Sequence, residues 1–179
     1  IVDDKIVAIG KDLCDIEAQN IDCTGMILMP GGVDPHAHFS LPMFDTISSD
    51  DHFTGHRAAA FGGSTTVIDF TSQIPGRSLQ ESIRTSIHQA SEIAAVDYSF
   101  HVNVTDFNDS IAQEIELLPL QGLTSLKVFT AYNGHLRISD EEILRILHIA
   151  RAHGMLVMVH AEDGDEIESL VSKALSEKH

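Results

Sequence analysis

From Pro30 onward the chain alternates between short apolar runs and longer amphipathic ones, and this rhythm limits its fold more than any other feature. STTVIDF, DYSFHVNVT, SLKVFTAY and MLVMVHAED are rich in β-branched and aromatic residues and read as strands. Between them, DDHFTGHRAAAFGG, SLQESIRTSIHQASEIAA, DSIAQEIELLPL and SDEEILRILHIARAHG place apolar residues at helical spacing. MPGGVDPHAHF opens the series and a further helix closes it. Strands interleaved with helices predict an α/β chain with a parallel sheet covered by helices, here five βα units. Ser139 with Glu142 three residues on forms a capping box, and Gly154 after His153 stops the same helix.

Two architectures use such units: a doubly wound open sheet, and an eight-stranded (β/α)8 barrel of the TIM type. No GxGxxG or GxxxxGK[ST] follows any strand, so the phosphate-cradling turns of nucleotide-binding open sheets are missing and the barrel is favoured. Residues 1–29 read differently. KIVAIG and MILM are short strands among polar segments, which predicts part of a small β-sandwich module ahead of a barrel portion over residues 30–179. The chain starts at Ile1 already in strand rhythm and ends in a helix with no glycine stop, so a piece of a longer protein is expected.

Composition narrows the partners. With 27 acidic against 11 basic residues the formal net charge is −16, which repels phosphate and argues against nucleic acid or an anionic membrane. No run reaches the length of a membrane span, and nothing at the start resembles a signal peptide. Cys14 and Cys23 form neither a CxxC pair nor a disulfide framework. A cytoplasmic protein acting on a small neutral or metal-bound ligand is the expectation.

In both architectures the chemistry sits at the C-terminal ends of the strands, where polar residues recur: His36 and His38, Asp69, His101 and Asn103, Lys127, then His160, Glu162 and Asp163. His36 and His38 are two apart on an extended segment, so their rings point the same way and could hold one metal ion. His160 taken alone reads as a core histidine; if the strands are neighbours around a barrel, the three imidazoles face one point, with ligands suited to zinc. His52 and His56 have a metal-binding spacing on a helix but no third partner in sequence, and precede an apolar AAAF face. His88, His135, His148 and His153 read as surface or cap residues, and His101 as a residue supporting the ligands from behind.

A lysine in the strand LKVFT is costly unless compensated. Three readings of Lys127 remain open on residues alone: an ion pair with a carboxylate such as Asp69 or Glu162, a Schiff-base amine of depressed pKa, or an amine that adds carbon dioxide to become a carbamate. The carbamate is a two-oxygen anion able to bridge two metal ions.

In this order and spacing, MPGGVDPHAHF, SDD with GGSTTVIDF, SLKVFTAYNG and LVMVHAEDGD resemble the dihydropyrimidinase and D-hydantoinase family of cyclic amidohydrolases, over essentially the whole chain. PGG followed by DPHxH is closer to this branch than to dihydroorotases or allantoinases. The resemblance implies a (β/α)8 barrel with a β-sandwich module, a homotetramer, and two divalent ions, usually zinc. It implies that His36 and His38 bind the first metal, that Lys127 as N6-carboxylysine bridges, that His160 binds the second, and that Tyr132 hydrogen-bonds the substrate carbonyl and developing oxyanion. The implied reaction is ring opening of a dihydropyrimidine or hydantoin to an N-carbamoyl amino acid by a hydroxide held between the metals. The family also uses a histidine on strand six and an aspartate on strand eight, neither within these residues; His179 falls too early for the former.

Asn133 stands where the family usually has lysine, Asp163 where it has asparagine, and Ala37 where threonine is common. Asn133 and the apolar loop with Leu41, Met43 and Phe44 lie where the family shapes its substrate pocket, which leaves the substrate open. The rival expectations are an allantoinase or dihydroorotase, and a non-catalytic relative that acts by assembly. Retention of His36, His38, Lys127 and His160 opposes the last of these.

Overall fold

The computed structural model describes residues 1–179 apart from Asp4, Asp12, Cys14, Ile16, Phe44, Lys178 and His179. The readings made of Cys14, Phe44 and His179 therefore lie outside the described residues. The chain divides into two compact units, Ile1–Pro30 and Gly31–His179.

In the first unit the strands expected over residues 5–10 and 26–29 do not form, and a β-sandwich module is not seen; the described pairing is a single bridge between Val2 and Lys5. Ile9, Ile27 and Leu28 are exposed by 90%, 88% and 82%. β-propensity measures the fit of a side chain on a pleated, half-buried surface, and without a partner strand it fixes nothing.

The second unit follows the expected alternation. Its elements are β1 (Gly32–Asp34), a hairpin of β2 (Pro42–Met43) and β3 (Thr46–Ile47), α1 (His52–Phe61), β4 (Ser64–Phe70), α2 (Leu79–Ser91), β5 (Asp97–Asn103), α3 (Asp109–Leu117), β6 (Ser125–Phe129), α4 (Asp140–Ala152), β7 (Leu156–His160) and α5 (Gly164–Ser176). The five longer-range strands form one parallel sheet in the order β1-β4-β5-β6-β7. Strands adjacent in sequence are adjacent in space, as in a barrel; no strand order reverses as it would in a doubly wound sheet. The unit is an α/β half-barrel consistent with the TIM type.

Local signals explain the element ends. Ser139 accepts from the Glu142 N–H while the Glu142 carboxylate accepts from Ser139 N–H, completing the capping box on α4. The helix expected over residues 109–120 divides: α3 stops at Leu117 and a 3-10 turn, Leu118–Gln121, continues, because Pro119 lacks an N–H and crowds the preceding turn. The β2–β3 hairpin was not expected; it forms within the segment read as an apolar loop.

The core lies between sheet and helices. Leu79 and Ile83 of α2, Phe100 and Val102 of β5, Leu126 and Val128 of β6 and Ile146 of α4 are buried together there, each contributing about 1.5–3 kcal/mol. Because side chains alternate along a strand, the intervening residues His101, Asn103, Lys127 and Phe129 face the opposite layer, the barrel interior. Helix α1 departs from expectation: Phe61 is 90% exposed, whereas His52, Gly55 and His56 are buried. These three share one stripe of the helix at i, i+3 and i+4, which is the stripe that meets the sheet.

Candidate active site

His36 and His38 follow directly on β1. Ala37, between them, faces the other way and is buried, and its N–H donates to the Ile68 carbonyl at 3.1 Å. That bond holds the segment extended, so the flanking histidines share a side as expected. Their ring centroids are 5.1 Å apart, and each lies 4.7 Å from the Phe70 ring. Partial desolvation lowers the His38 pKa, aided by the nearby His36 and Lys127. Neutral imidazole, the form that ligates a metal, is thereby favoured.

His101 is buried beside them. Its Nε2 lies 2.8 Å from the Pro35 carbonyl, which can only accept, and its Nδ1 lies 2.6 Å from Ser125 Oγ. Nε2 therefore carries the proton, and His101 ties β6 to the residue preceding His36, as a supporting histidine would.

Lys127 is half-buried on β6, and desolvation lowers its pKa. Its Nζ lies 5.9 Å from the Phe70 centroid and 5.4 Å from that of Phe129. Among the described residues no carboxylate lies within ion-pairing distance, so the ion pair with Asp69 or Glu162, one of the three readings of Lys127, is not made. Glu162 pairs with His160 Nε2 instead, and Asp69 points into the opposite layer, against α1. Beyond Lys127, the His160 ring stacks on Phe129 at 5.9 Å and lies 5.1 Å from Tyr132.

His36 and His38 follow one edge strand of the described sheet and His160 ends the other, and no three His, Cys, Asp or Glu among the described residues stand close enough to hold an ion. Lys127 lies between the two sets of histidines. A desolvated amine there, with no carboxylate partner among the described residues, fits carbamate chemistry, since only the neutral amine adds carbon dioxide, and the product supplies the anionic oxygens that imidazoles lack. Buried Asn103, whose Cα pairs with that of Lys127, leaves its Oδ1 without a hydrogen-bond partner. The donors present thus suit a divalent centre.

On the helix side lies a buried polar cluster that sequence reasoning missed. His52 Nε2 is 3.7 Å from Asp69 Oδ2, and His52 Nδ1 is 3.4 Å from His56 Nε2. Asp69 Oδ1 accepts the Phe70 N–H at 2.6 Å and Oδ2 the Phe39 N–H at 3.4 Å, so one carboxylate touches the backbone on both sides of the histidine pair's support. The Phe39 ring sits 5.3 Å from His52 and 5.2 Å from His56. The available signal was the i, i+3, i+4 stripe of His52, Gly55 and His56, which the AAAF run obscured.

This cluster carries a pH signature. Burial lowers the pKa of His52 and His56 from 6.5, so the unfolded chain binds protons first; their contribution to stability is present above about pH 6.5 and is lost as pH falls through the folded values. Burial raises Asp69 from 3.8 to about 6, so its contribution is present below about pH 4 and is lost as pH rises through about 6. Between these limits the two oppose each other. Asp69→Asn removes the carboxylate's share, and urea unfolding followed from pH 7 to pH 5 is expected to show a steeper acid loss of stability than in the parent. Parallel curves would refute the opposition.

A cleft of about 340 Å³ opens beside Tyr132, lined also by Asn133, His135, Glu162 and Glu168. No helix among the described residues is long and apolar enough to cross a membrane.

Comparison with known proteins agrees with this geometry. Residues 27–179 match the model of the amidohydrolase family. The chain is 42% identical over 180 residues to a D-hydantoinase of Geobacillus stearothermophilus, covering 100% of this chain and 38% of that protein. It is 38% identical over 148 residues to a dihydropyrimidinase of Dictyostelium discoideum, covering 82% of this chain and 29% of the relative. The crystal structure of dihydropyrimidinase from Brevibacillus agri superposes with a TM-score of 0.93 at 46% identity, over 97% of this chain and 38% of that one. The chain thus spans well under half the length of these proteins. A half-barrel of parallel strands with His36, His38, Lys127 and His160 along its inner face, matched by the family model over the whole of that unit, makes this chain a member of the amidohydrolase family.

Proposed function

We propose that this chain forms the first part of a dihydropyrimidinase or hydantoinase, an enzyme that opens a cyclic amide ring to an N-carbamoyl amino acid. Residues 30–179 supply the first five βα units of a (β/α)8 barrel, and residues 1–29 contribute to a small β module. The observation that carries the reading is the desolvated Lys127, without a carboxylate partner among the described residues, between His36 and His38 on one side and His160 on the other. Its supports are similarity to proteins named D-hydantoinase and dihydropyrimidinase, and to the solved structures.

In this reading His36, His38, His160 and Lys127, the last carboxylated at Nζ, would together hold two divalent ions, for which zinc suits the imidazole donors. When bound, such a centre would supply an acidified water and a polarised ring carbonyl, worth several kcal/mol at neutral pH. Glu162 orients the His160 ring, and His101 braces the segment ahead of His36. Tyr132, 42% exposed beside the cleft, donates its hydroxyl to the carbonyl oxygen as negative charge develops there. The enzyme works as a cytoplasmic homotetramer.

Metal analysis of the full-length enzyme, combined with ultraviolet assays of ring opening, tests this. About two ions per subunit and turnover of dihydrouracil or hydantoin are expected; a metal-replete protein inert to both would sink the substrate assignment. Rates on allantoin and dihydroorotate, run in parallel, separate the related activities. Tyr132→Phe is expected to lower kcat by roughly 10²- to 10³-fold with bound metal unchanged, the cost of one oxyanion donor. An unaltered kcat would remove Tyr132 from the chemistry.

A further inference from the structure

Tyr132 has φ +64°, a left-handed conformation that a side chain rarely adopts without being held there. Part of the holding is local: its carbonyl accepts from the N–H groups of His135 and Leu136 at 3.0 Å and of Arg137 at 3.3 Å. The rest comes from outside the turn. Arg137 Nη1 donates to Asp165 Oδ1 at 2.6 Å and to Asn133 Oδ1 at 3.0 Å, and Asn133 Nδ2 donates to the same Asp165 oxygen at 2.9 Å. These three side chains close a triangle across the loop that carries Tyr132, with one corner on the first turn of α5.

The approach of the two segments is close enough to require glycine. A Cβ on Gly164 would lie 2.4 Å from Asn133 Oδ1 and 3.0 Å from the Ala131 Cα and the Thr130 carbonyl oxygen. A second tie lies behind the first. The Thr130 N–H donates to the His160 carbonyl at 3.0 Å, and Thr130 Oγ1 accepts the Glu162 N–H at 3.0 Å. The Tyr132 loop and the segment bearing His160 and Glu162 are thus bound together at both ends.

We propose that Asn133, Arg137 and Asp165 form a clamp that holds Tyr132 in its left-handed turn and so sets the position of its hydroxyl over the site, making the three of them positioning residues for the reaction. This rests on the role given to Tyr132 above. It also gives a use to Asn133, which replaces the lysine usual in the resembling family: an amide can donate to Asp165 and accept from Arg137, whereas an ammonium can only donate. The mutual effects agree, since the hydrogen bond with Asp165 raises Arg137 and that with Arg137 lowers Asp165.

The test uses the full-length, metal-loaded enzyme with Arg137→Met, Asp165→Asn and Gly164→Ala, each alone and combined with Tyr132→Phe. Each clamp variant is expected to lower kcat about three- to tenfold with KM moved less than twofold. In the Tyr132→Phe background the same changes should have less than a twofold effect, because the hydroxyl they position is gone. Hydrogen exchange read by mass spectrometry should quicken in peptides covering residues 131–138 but not in those covering β5, which separates loosening of the loop from global destabilisation. Unchanged exchange in that loop, or an equal loss of kcat with and without the tyrosine hydroxyl, would overturn the clamp. A Tyr132→Phe enzyme as fast as the parent would instead overturn the role of Tyr132, and with it the clamp's catalytic purpose, even if the exchange result held.

Discussion

In the full-length enzyme proposed above, Lys127→Ala is expected to leave a folded protein that has lost metal at the bridged position and most of its activity. Alanine on β6 removes a half-buried amine that pairs with no carboxylate among the described residues, so no buried charge is orphaned by the change. Loss of the bridge takes with it the several kcal/mol of carbonyl polarisation and water activation assigned to the ions, which at about 1.4 kcal/mol per decade is roughly a thousandfold or more in rate. Lys127→Arg keeps a cation but cannot form the carbamate, so it is expected to fail equally; that outcome separates a bridging anion from a simple positive charge. Short carboxylic acids added to Lys127→Ala are expected to restore part of the activity. Metal content by elemental analysis is the deciding measurement, and an unchanged stoichiometry in Lys127→Ala would refute the bridging role.

Gly55→Ala is expected to damage both stability and metal binding, although alanine is the better helix former by up to about 1 kcal/mol. A Cβ at Gly55 would lie 2.1 Å from Phe39 Cε1 and 2.4 Å from its Cδ1. The Phe39 ring is flanked by His52 and His56, and its N–H is held by Asp69, so it has little room to yield. Overpacking of this kind costs about 1–3 kcal/mol, which outweighs the gain in propensity. Because Phe39 directly follows His38, the displaced ring should drag the histidine pair out of line. Zinc affinity measured by chelator competition is expected to fall about 10- to 100-fold, as when a ligand's support is removed. A lower melting temperature with undiminished zinc affinity would show that Phe39 does not transmit to His38.

Much of the molecule was legible because its signals are local. The alternation of apolar and amphipathic runs predicted the βα units, and the Ser139–Glu142 box placed the start of α4. The paired direction of His36 and His38 followed from strand geometry, and a lysine inside LKVFT announced an unusual environment. Asp69 was misjudged for an equally definite reason. Strand alternation says that Asp69 and Phe70 face opposite layers, but not which layer each faces; the register Asp69↔Phe100 puts Asp69 with the core side and leaves Phe70 to carry the histidines. The same limit governs α1, where an alanine run and a histidine stripe competed for the interior and packing against β4 and Phe39 chose the histidines.

By itself, then, the sequence determined the alternation of five βα units in residues 31–177, though not the β2–β3 hairpin, and which side chains are able to bind a metal, since these rest on local periodicity, caps and donor chemistry. Only the tertiary structure decided that the strands expected over residues 5–10 and 26–29 do not form, that Lys127 has no carboxylate partner among the described residues, that Asp69 braces the backbone behind the histidine pair, and that Arg137 and Asp165 close on Asn133 around Tyr132. Each of these turns on which side chains and strands meet, or fail to meet, in three dimensions, and a one-dimensional pattern records the facing of a side chain but not what stands opposite it.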